Sequence, residues 1–105
     1  MSDMVIERKS VTKERIKFKR PSKYSIFVLN NDVSSIDAVI VIIMGAFNKS
    51  PEEAIQIAQK AHTTGKALVV GNLSKEIADT LMSTASALSQ EIDNGRLRFE
   101  VKETN

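Results

Sequence analysis

Side chains able to bind a ligand occur at two places in the sequence. Asn30, Asn31 and Asp32 directly follow the apolar run 24–29, and His62 is the only histidine. Amide oxygens, carboxylates and neutral imidazole nitrogens all accept hydrogen bonds, and an Asp with a His can also transfer protons. Asn and Asp after a strand also form ordinary turns, and a histidine near a helix end is often structural. The residue types alone leave a binding site, an acid–base pair and two structural features open.

Composition removes several other kinds of site. The 105 residues contain no cysteine and one histidine, so we expect no disulfide, no thiolate catalysis and no metal centre. The sequence has no glycine-rich phosphate loop and no serine in a nucleophile motif. We therefore expect a protein that is not an enzyme and uses no cofactor. The polar start and the lack of an apolar run near ~20 residues predict a cytoplasmic protein without a membrane partner.

Charge is divided unevenly along the chain. Residues 1–23 carry eight basic and three acidic side chains, a net charge of +5, and the remainder carries −3. Phe18 is the only aromatic residue of this basic arm, which leaves little for stacking on bases, so we expect no nucleic-acid partner. Pro21 marks the entry to the folded part. We expect a basic flexible extension over residues 1–22 and a single domain over residues 23–105.

Local signals predict the elements that would position the candidate residues. Tyr24 begins a strand with alternating buried side chains. Ser34 or Ser35 can cap a helix with Asp37 in its first turn, and this cap favours a helix for the apolar run 38–47, whose Val and Ile residues also suit a strand.

The second helix has the sharpest start in the chain. Ser50 and Glu53 form a capping box around Pro51, and Gly65 ends the helix. Residues at helical spacing predict one buried stripe on this helix: Ala54, Ile57, Ala58, Ala61 and His62.

The remaining elements complete a small domain. Residues 66–73 form a strand, and Ser74 caps a third helix that ends near Asn94-Gly95. Its predicted inward residues are Ile77, Leu81, Met82, Ala85 and Leu88. Residues 96–102 alternate as a strand with one face in water. The order β-α-α-β-α-β predicts an α+β fold: a single two-layer domain with a three-stranded antiparallel sheet and three helices on one face.

Two sequence blocks carry a resemblance to a known family. The first is Tyr24-x-x-x-x-Leu29-Asn30-x-Asp32, and the second is Ala61-His62-x-x-Gly65-Lys66-Ala67. At this separation, residues 23 to about 102 resemble the ClpS adaptor family of the N-end rule. The resemblance implies a non-enzymatic adaptor that delivers proteins with a bulky hydrophobic first residue, or N-degrons, to the N-terminal domain of a ClpA-type AAA+ unfoldase.

The same resemblance implies roles for individual residues. It assigns Asn30, Asp32 and His62 to the α-amino group of a peptide N-terminus, where three acceptors suit a protonated amine with its three donors. It assigns five further residues to the pocket for the first side chain: Ile36, Val39, Ala58, Ala61 and Leu97.

Some positions depart from the family pattern. Asn31 replaces a usual aspartate, and Ala58 replaces a larger residue that is often methionine. Lys75 and Thr80 stand where the family commonly has an acidic residue and a lysine that contact the unfoldase. A ribosomal-stalk-like interaction module of similar fold is the alternative interpretation, and it would not need Asn30, Asp32 and His62 together.

Overall fold

Six elements follow one another in the predicted order. The structure, a computed structural model, describes residues 22–29 and 34–104. Its elements are β1 (Lys23–Leu29), α1 (Ile36–Phe47), α2 (Pro51–Thr64), β2 (Lys66–Leu73), α3 (Lys75–Asp93) and β3 (Phe99–Thr104). Of the expected extension over residues 1–22, all but Ser22 lies outside the described residues. That extension, like the domain boundary at residue 23, stays a prediction.

The sheet is antiparallel, with β1 at its centre in the order β2-β1-β3. Ile26 and Val28 of β1 are fully buried, and the three helices cover the face to which they point. This confirms the predicted α+β two-layer domain. The opposite face carries Phe27, under a Lys66 ammonium that lies 5.0 Å from the ring centroid and 3.1 Å from a Glu100 carboxylate oxygen.

The helix caps form as their residue types predict. The Ser35 hydroxyl accepts a hydrogen bond from the Ala38 N–H at 3.1 Å, so of the two candidate serines it is Ser35 that caps α1. Ser50 and Glu53 bond reciprocally at the start of α2. Gly65 ends α2 with φ 98°, a conformation that costs glycine little.

The buried side of α3 differs from the prediction. Ile77 is 53% exposed, whereas Ala78 and Ser89, which the prediction omitted, are buried with Ala85. Successive helical residues lie about 100° apart, so a face centred on Ala78, Ala85 and Ser89 turns Ile77 towards its margin. Small side chains at the centre of this face let α3 lie close to the rest of the core.

The last strand begins at Phe99, three residues later than predicted, and ends at Thr104. The Arg96 N–H bonds the backbone oxygen of Asp93 at 3.3 Å and its Oδ1 at 3.2 Å. Because this amide closes a turn, it does not join the sheet ladder. Within the described residues, no helix is both long and apolar enough to cross a membrane.

Candidate ligand-binding site

The structure describes part of the predicted amine site. Asn30 and Asp32, with Asn31 between them, lie outside the described residues. The described residues on either side of this segment, Leu29 and Ser34, nevertheless show where the chain enters and leaves it.

The entry is held from both neighbouring strands. Leu29 is the direct antiparallel partner of Lys66, the first residue of β2, so their Cα atoms are about 5 Å apart. Its N–H donates to the Arg98 carbonyl at 3.0 Å. Leu29, the last described residue before this segment, therefore lies between the start of β2 and the residues that precede β3.

The exit is held by a side-chain hydrogen bond. The Ser34 hydroxyl donates to Asp93 Oδ2 at 2.6 Å, across 59 positions of sequence. Asp93 is the last residue of α3, so Ser34, the first described residue after this segment, lies beside the C-terminus of that helix.

His62 lies in the last turn of α2, and its side chain is exposed. The prediction that it belongs to the buried stripe is therefore wrong. The buried residues of α2 are Ala54, Ala58 and Ala61, and His62 is turned about 100° from Ala61, past the edge of that stripe. It thus stands at the surface four positions before Lys66, the strand partner of Leu29, where a ligand can reach it.

The five predicted pocket residues differ in exposure. Ala58, Ala61 and Leu97 are 3%, 4% and 4% exposed. Val39 is half-buried and packs on the core cluster that contains Ala61 and Leu97, whereas Ile36, the first residue of α1, is 46% exposed. Of the five residues, Val39, Ala61 and Leu97 therefore belong to the hydrophobic core, Ala58 is buried outside that cluster, and Ile36 is exposed.

A separate groove of about 320 Å³ lies between α3 and the start of β3. Its lining includes Met82, Ser86, Gln90 and Phe99, and it shares only Leu97 with the predicted pocket. Among the described residues, no cluster of three or more His, Asp or Glu side chains is arranged to hold a metal ion.

Asp93 is a residue near the site that the sequence motifs did not single out. Besides Ser34, it accepts hydrogen bonds from the Ser89 hydroxyl at 2.9 Å and from the Arg96 N–H at 3.2 Å. Burial acts to raise the pKa of Asp93, but the hydrogen bonds from Ser34, Ser89 and the Leu97 and Arg96 amides outweigh it and lower that pKa below 3.8. The spacing Ser89-x-x-x-Asp93 before Asn94-Gly95 was the one local signal, since it puts hydroxyl and carboxylate on one helix face.

Replacing Asp93 by Asn is expected to remove a contribution to the unfolding free energy that is present near neutral pH and is lost in acid. A carboxylate whose folded pKa is depressed stabilises the fold above its unfolded pKa, and this contribution disappears as pH falls through the folded value. The difference in unfolding free energy between wild type and Asp93→Asn should therefore shrink between about pH 5 and pH 3. Urea unfolding at each pH measures this difference. Glu53→Gln is measured in parallel as a comparison at another carboxylate. The pKa of Glu53 is also lowered, mainly by the hydrogen bond from the Ser50 backbone. A difference that is constant with pH would contradict the role assigned to the charge.

Lys75 and Thr80 lie apart from this site, on the first turns of α3. Both are exposed. The Lys75 ammonium lies 3.7 Å from an Asp79 carboxylate oxygen, and the Thr80 hydroxyl donates to the Glu76 carbonyl at 3.0 Å. These contacts both lie within α3, and both side chains are exposed on its surface.

These features define the class of protein. It is a small α+β domain in which three helices cover one face of an antiparallel sheet, and Leu29 pairs with β2 while Ser34 bonds the end of α3. His62 is exposed in the last turn of α2, and one apolar core joins the sheet to the helices.

The comparisons with known proteins give the family. The family described as "ATP-dependent Clp protease adaptor protein ClpS" matches residues 19–99. The ClpS adapter of Leptospira biflexa is 31% identical over 90 residues, covering 86% of this chain and 79% of the relative, and that of Vibrio atlanticus is 37% identical over 79 residues, covering 75% and 74%. The structure of Agrobacterium tumefaciens ClpS2 bound to L-phenylalaninamide matches with a TM-score of 0.74 and 28% identity, covering 81% of this chain and all of that one. The chain belongs to the ClpS family and is an adaptor of the Clp protease.

Proposed function

We propose that this adaptor binds the free N-terminus of proteins whose first residue is bulky and apolar, and hands them to a Clp AAA+ unfoldase in the cytoplasm. The observation that carries the proposal is the pairing of Leu29, the residue before Asn30, with Lys66, which lies four positions after His62. The ligand of the Agrobacterium relative supports it, because L-phenylalaninamide offers a free amine and a benzyl side chain. The function is one of binding and includes no catalysed step.

The amine would be bound by acceptors of three types. A protonated α-amino group carries three donors in a tetrahedral arrangement, and Asn30, Asp32 and His62 each supply an acceptor. The Asp32 carboxylate would add a charge-assisted hydrogen bond, which is shorter and stronger than a neutral one. The exposure of His62 supports this role, since a ligand reaches the imidazole without displacing core residues.

The first side chain would pack on the apolar cluster. Exposed Ile36 and half-buried Val39 would form one wall on α1, and the buried residues Ala58, Ala61 and Leu97 would form the base. Because the chain belongs to the ClpS family, the fold is interpreted as an adaptor and not as a ribosomal-stalk-like module. Such a module would also give His62 no role.

A peptide titration tests the proposal directly. Fluorescence anisotropy with peptides that differ only in the first residue should give binding for Leu and Phe and none for Glu and Gly, because only the former bury apolar surface on the cluster. Equal affinities across the four peptides would refute a pocket for the first side chain.

Replacing Ala58 by Met is expected to sharpen the selection among first residues. Ala58 leaves more room than the methionine often found in the family, so β-branched Ile and Val should be tolerated in wild type. The added volume should disfavour Ile- and Val-first peptides over Leu-first ones by ~1–3 kcal/mol. Competition titrations measure this, and Ala54→Met, one turn earlier on the same buried stripe, is the control. If wild type and Ala58→Met rank the peptides identically, Ala58 does not line the pocket.

Docking on the unfoldase is proposed to involve Lys75 and Thr80. A single charge at a docking rim changes association and specificity, so Lys75→Glu, which restores the acidic character usual in the family, should strengthen binding to a ClpA-type N-terminal domain. The exposed pair with Asp79 that it breaks contributes little to folding. Pulldowns with several unfoldase N-terminal domains measure the effect, and Lys60→Glu on the exposed side of α2 is the charge-matched control. If wild type and Lys75→Glu bind the same unfoldase domain equally tightly, these positions do not determine which unfoldase is bound.

A further inference from the structure

The Asp93 carboxylate joins two parts of the chain that lie far apart in sequence. Its Oδ2 accepts the 2.6 Å bond from Ser34, which directly precedes the Ser35 cap of α1. Its Oδ1 accepts from Ser89 and from the Arg96 N–H, and the Leu97 N–H also bonds the carboxylate. One side chain therefore holds the start of α1 and the residues that lead to β3.

These two parts carry the proposed α1 wall of the pocket and Leu97 of its proposed base. Ile36 is the first residue of α1, two positions after Ser34, and Val39 lies one turn further. Leu97 follows a turn in which Asn94 and Gly95 both have positive φ, at 61° and 75°. The Leu97 carbonyl accepts a hydrogen bond from the Ser89 hydroxyl at 3.2 Å, and the Arg98 carbonyl accepts one from the Leu29 N–H at 3.0 Å.

We propose that Asp93 is a positioning residue that sets the separation between the α1 wall and Leu97, and thereby the fit of the first side chain of the ligand. The proposal rests on the proposed function, because it concerns the same pocket. Asp93 contacts no ligand and acts through Ser34 and Leu97. Its carboxylate suits this task because its two oxygens can accept hydrogen bonds from several directions at once. A charged acceptor also makes stronger hydrogen bonds than a neutral one.

A neutral amide cannot reproduce this arrangement. Asn has one acceptor oxygen and a donor NH₂ group, so the side chain of Asp93→Asn cannot accept both from the Ser34 hydroxyl and from the donors at Oδ1. Ser34→Ala is the milder change, since it removes the hydroxyl bonded to Asp93 and keeps the carboxylate that accepts from Ser89, Arg96 and Leu97.

The test compares peptide affinity and global stability in the full-length protein. Anisotropy titrations with Leu-first and Trp-first peptides, and urea unfolding, are measured for wild type, Asp93→Asn, Ser34→Ala and Ser34→Thr. Ser74→Ala is the matched control, because it removes the cap of α3 at the end of the helix opposite to Asp93. We expect Asp93→Asn and Ser34→Ala to weaken peptide binding by about tenfold and to change the ratio of the two affinities. Ser34→Thr, which keeps the hydroxyl, should bind as wild type does.

The double variant isolates the link itself. Because Ser34 and Asp93 act as a pair, Ser34→Ala combined with Asp93→Asn should bind no more weakly than Asp93→Asn alone. Ser74→Ala should lower stability and leave both affinities unchanged. Should Asp93→Asn fail to fold, Ser34→Ala with its Thr rescue decides the question.

Each contrary outcome identifies what has failed. If wild type binds Leu-first peptides and Ser34→Ala binds them equally well, the positioning role is overturned and the proposed function stands. Equal weakening by Ser74→Ala would assign the effect to global stability and also overturn the role. If wild type does not bind Leu-first peptides, the proposed function fails and this inference fails with it.

Discussion

Acetylating the α-amino group of a Leu-first peptide is expected to weaken its binding to this protein at least about tenfold. Acetylation removes the positive charge and leaves a single N–H where the amine had three donors. The acceptors proposed at Asn30, Asp32 and His62 would then be covered by the peptide without partners. An unpaired buried acceptor costs ~1–3 kcal/mol, and more when it is charged, so the effect should exceed the experimental error of an anisotropy titration.

Variants of the proposed acceptors should identify the cause of this difference. Asp32→Asn and His62→Ala should each weaken binding of the free peptide much more than binding of the acetylated one. The ratio of the affinity for the free peptide to that for the acetylated peptide should therefore fall. Thr63→Ala is the control next to His62, because its exposed hydroxyl bonds only the Gln59 carbonyl of its own helix among the contacts described, at 2.9 Å. Equal affinity of wild type for the free and acetylated peptides would exclude recognition of the amine and make Asn30–Asp32 an ordinary turn.

Truncating Ile43 to Ala is expected to destabilise the fold by ~2–5 kcal/mol. Ile43 is fully buried in the core cluster, so the change removes apolar contacts and leaves a cavity that α1 cannot close without losing its packing against α2 and α3. A loss of this size is a large fraction of the stability of a small domain. Urea unfolding gives the difference in unfolding free energy.

The matched control lies two residues earlier on the same helix. Val41 is 52% exposed, so Val41→Ala should change the unfolding free energy by no more than about 0.5 kcal/mol. Together the two variants test which side of an almost wholly apolar helix faces the core. Comparable losses from both would mean that α1 is oriented differently or that its outer side is covered by a partner.

The elements of this fold could be predicted from the sequence because their signals are local. Ser35, Ser50 and Ser74 each bond a backbone N–H three residues later, and Gly65 ends its helix through its own φ angle. The same holds for the two motif blocks, which sufficed to identify the ClpS family and so the residues proposed to bind the ligand.

Which residues of those elements are buried and which are exposed was decided by the tertiary structure. Val39 to Ile43 are all apolar, so no periodicity separates buried Ile42 and Ile43 from exposed Val41. Ile77 and His62 lie beside buried stripes, and a shift of about 100° in the contact face is enough to place either of them in water.

The hydrogen bond between Ser34 and Asp93 is the clearest example of a contact that local sequence patterns do not predict. The two residues are 59 positions apart, and only the packing of α3 against the start of α1 brings hydroxyl and carboxylate to 2.6 Å. Caps, turns and the order of elements depend on interactions within a few residues, and the sequence by itself determined them. The exposure of His62, the clustering of Val39, Ala61 and Leu97, and the Asp93 link depend on contacts between distant segments, which form only when the helices pack on the sheet.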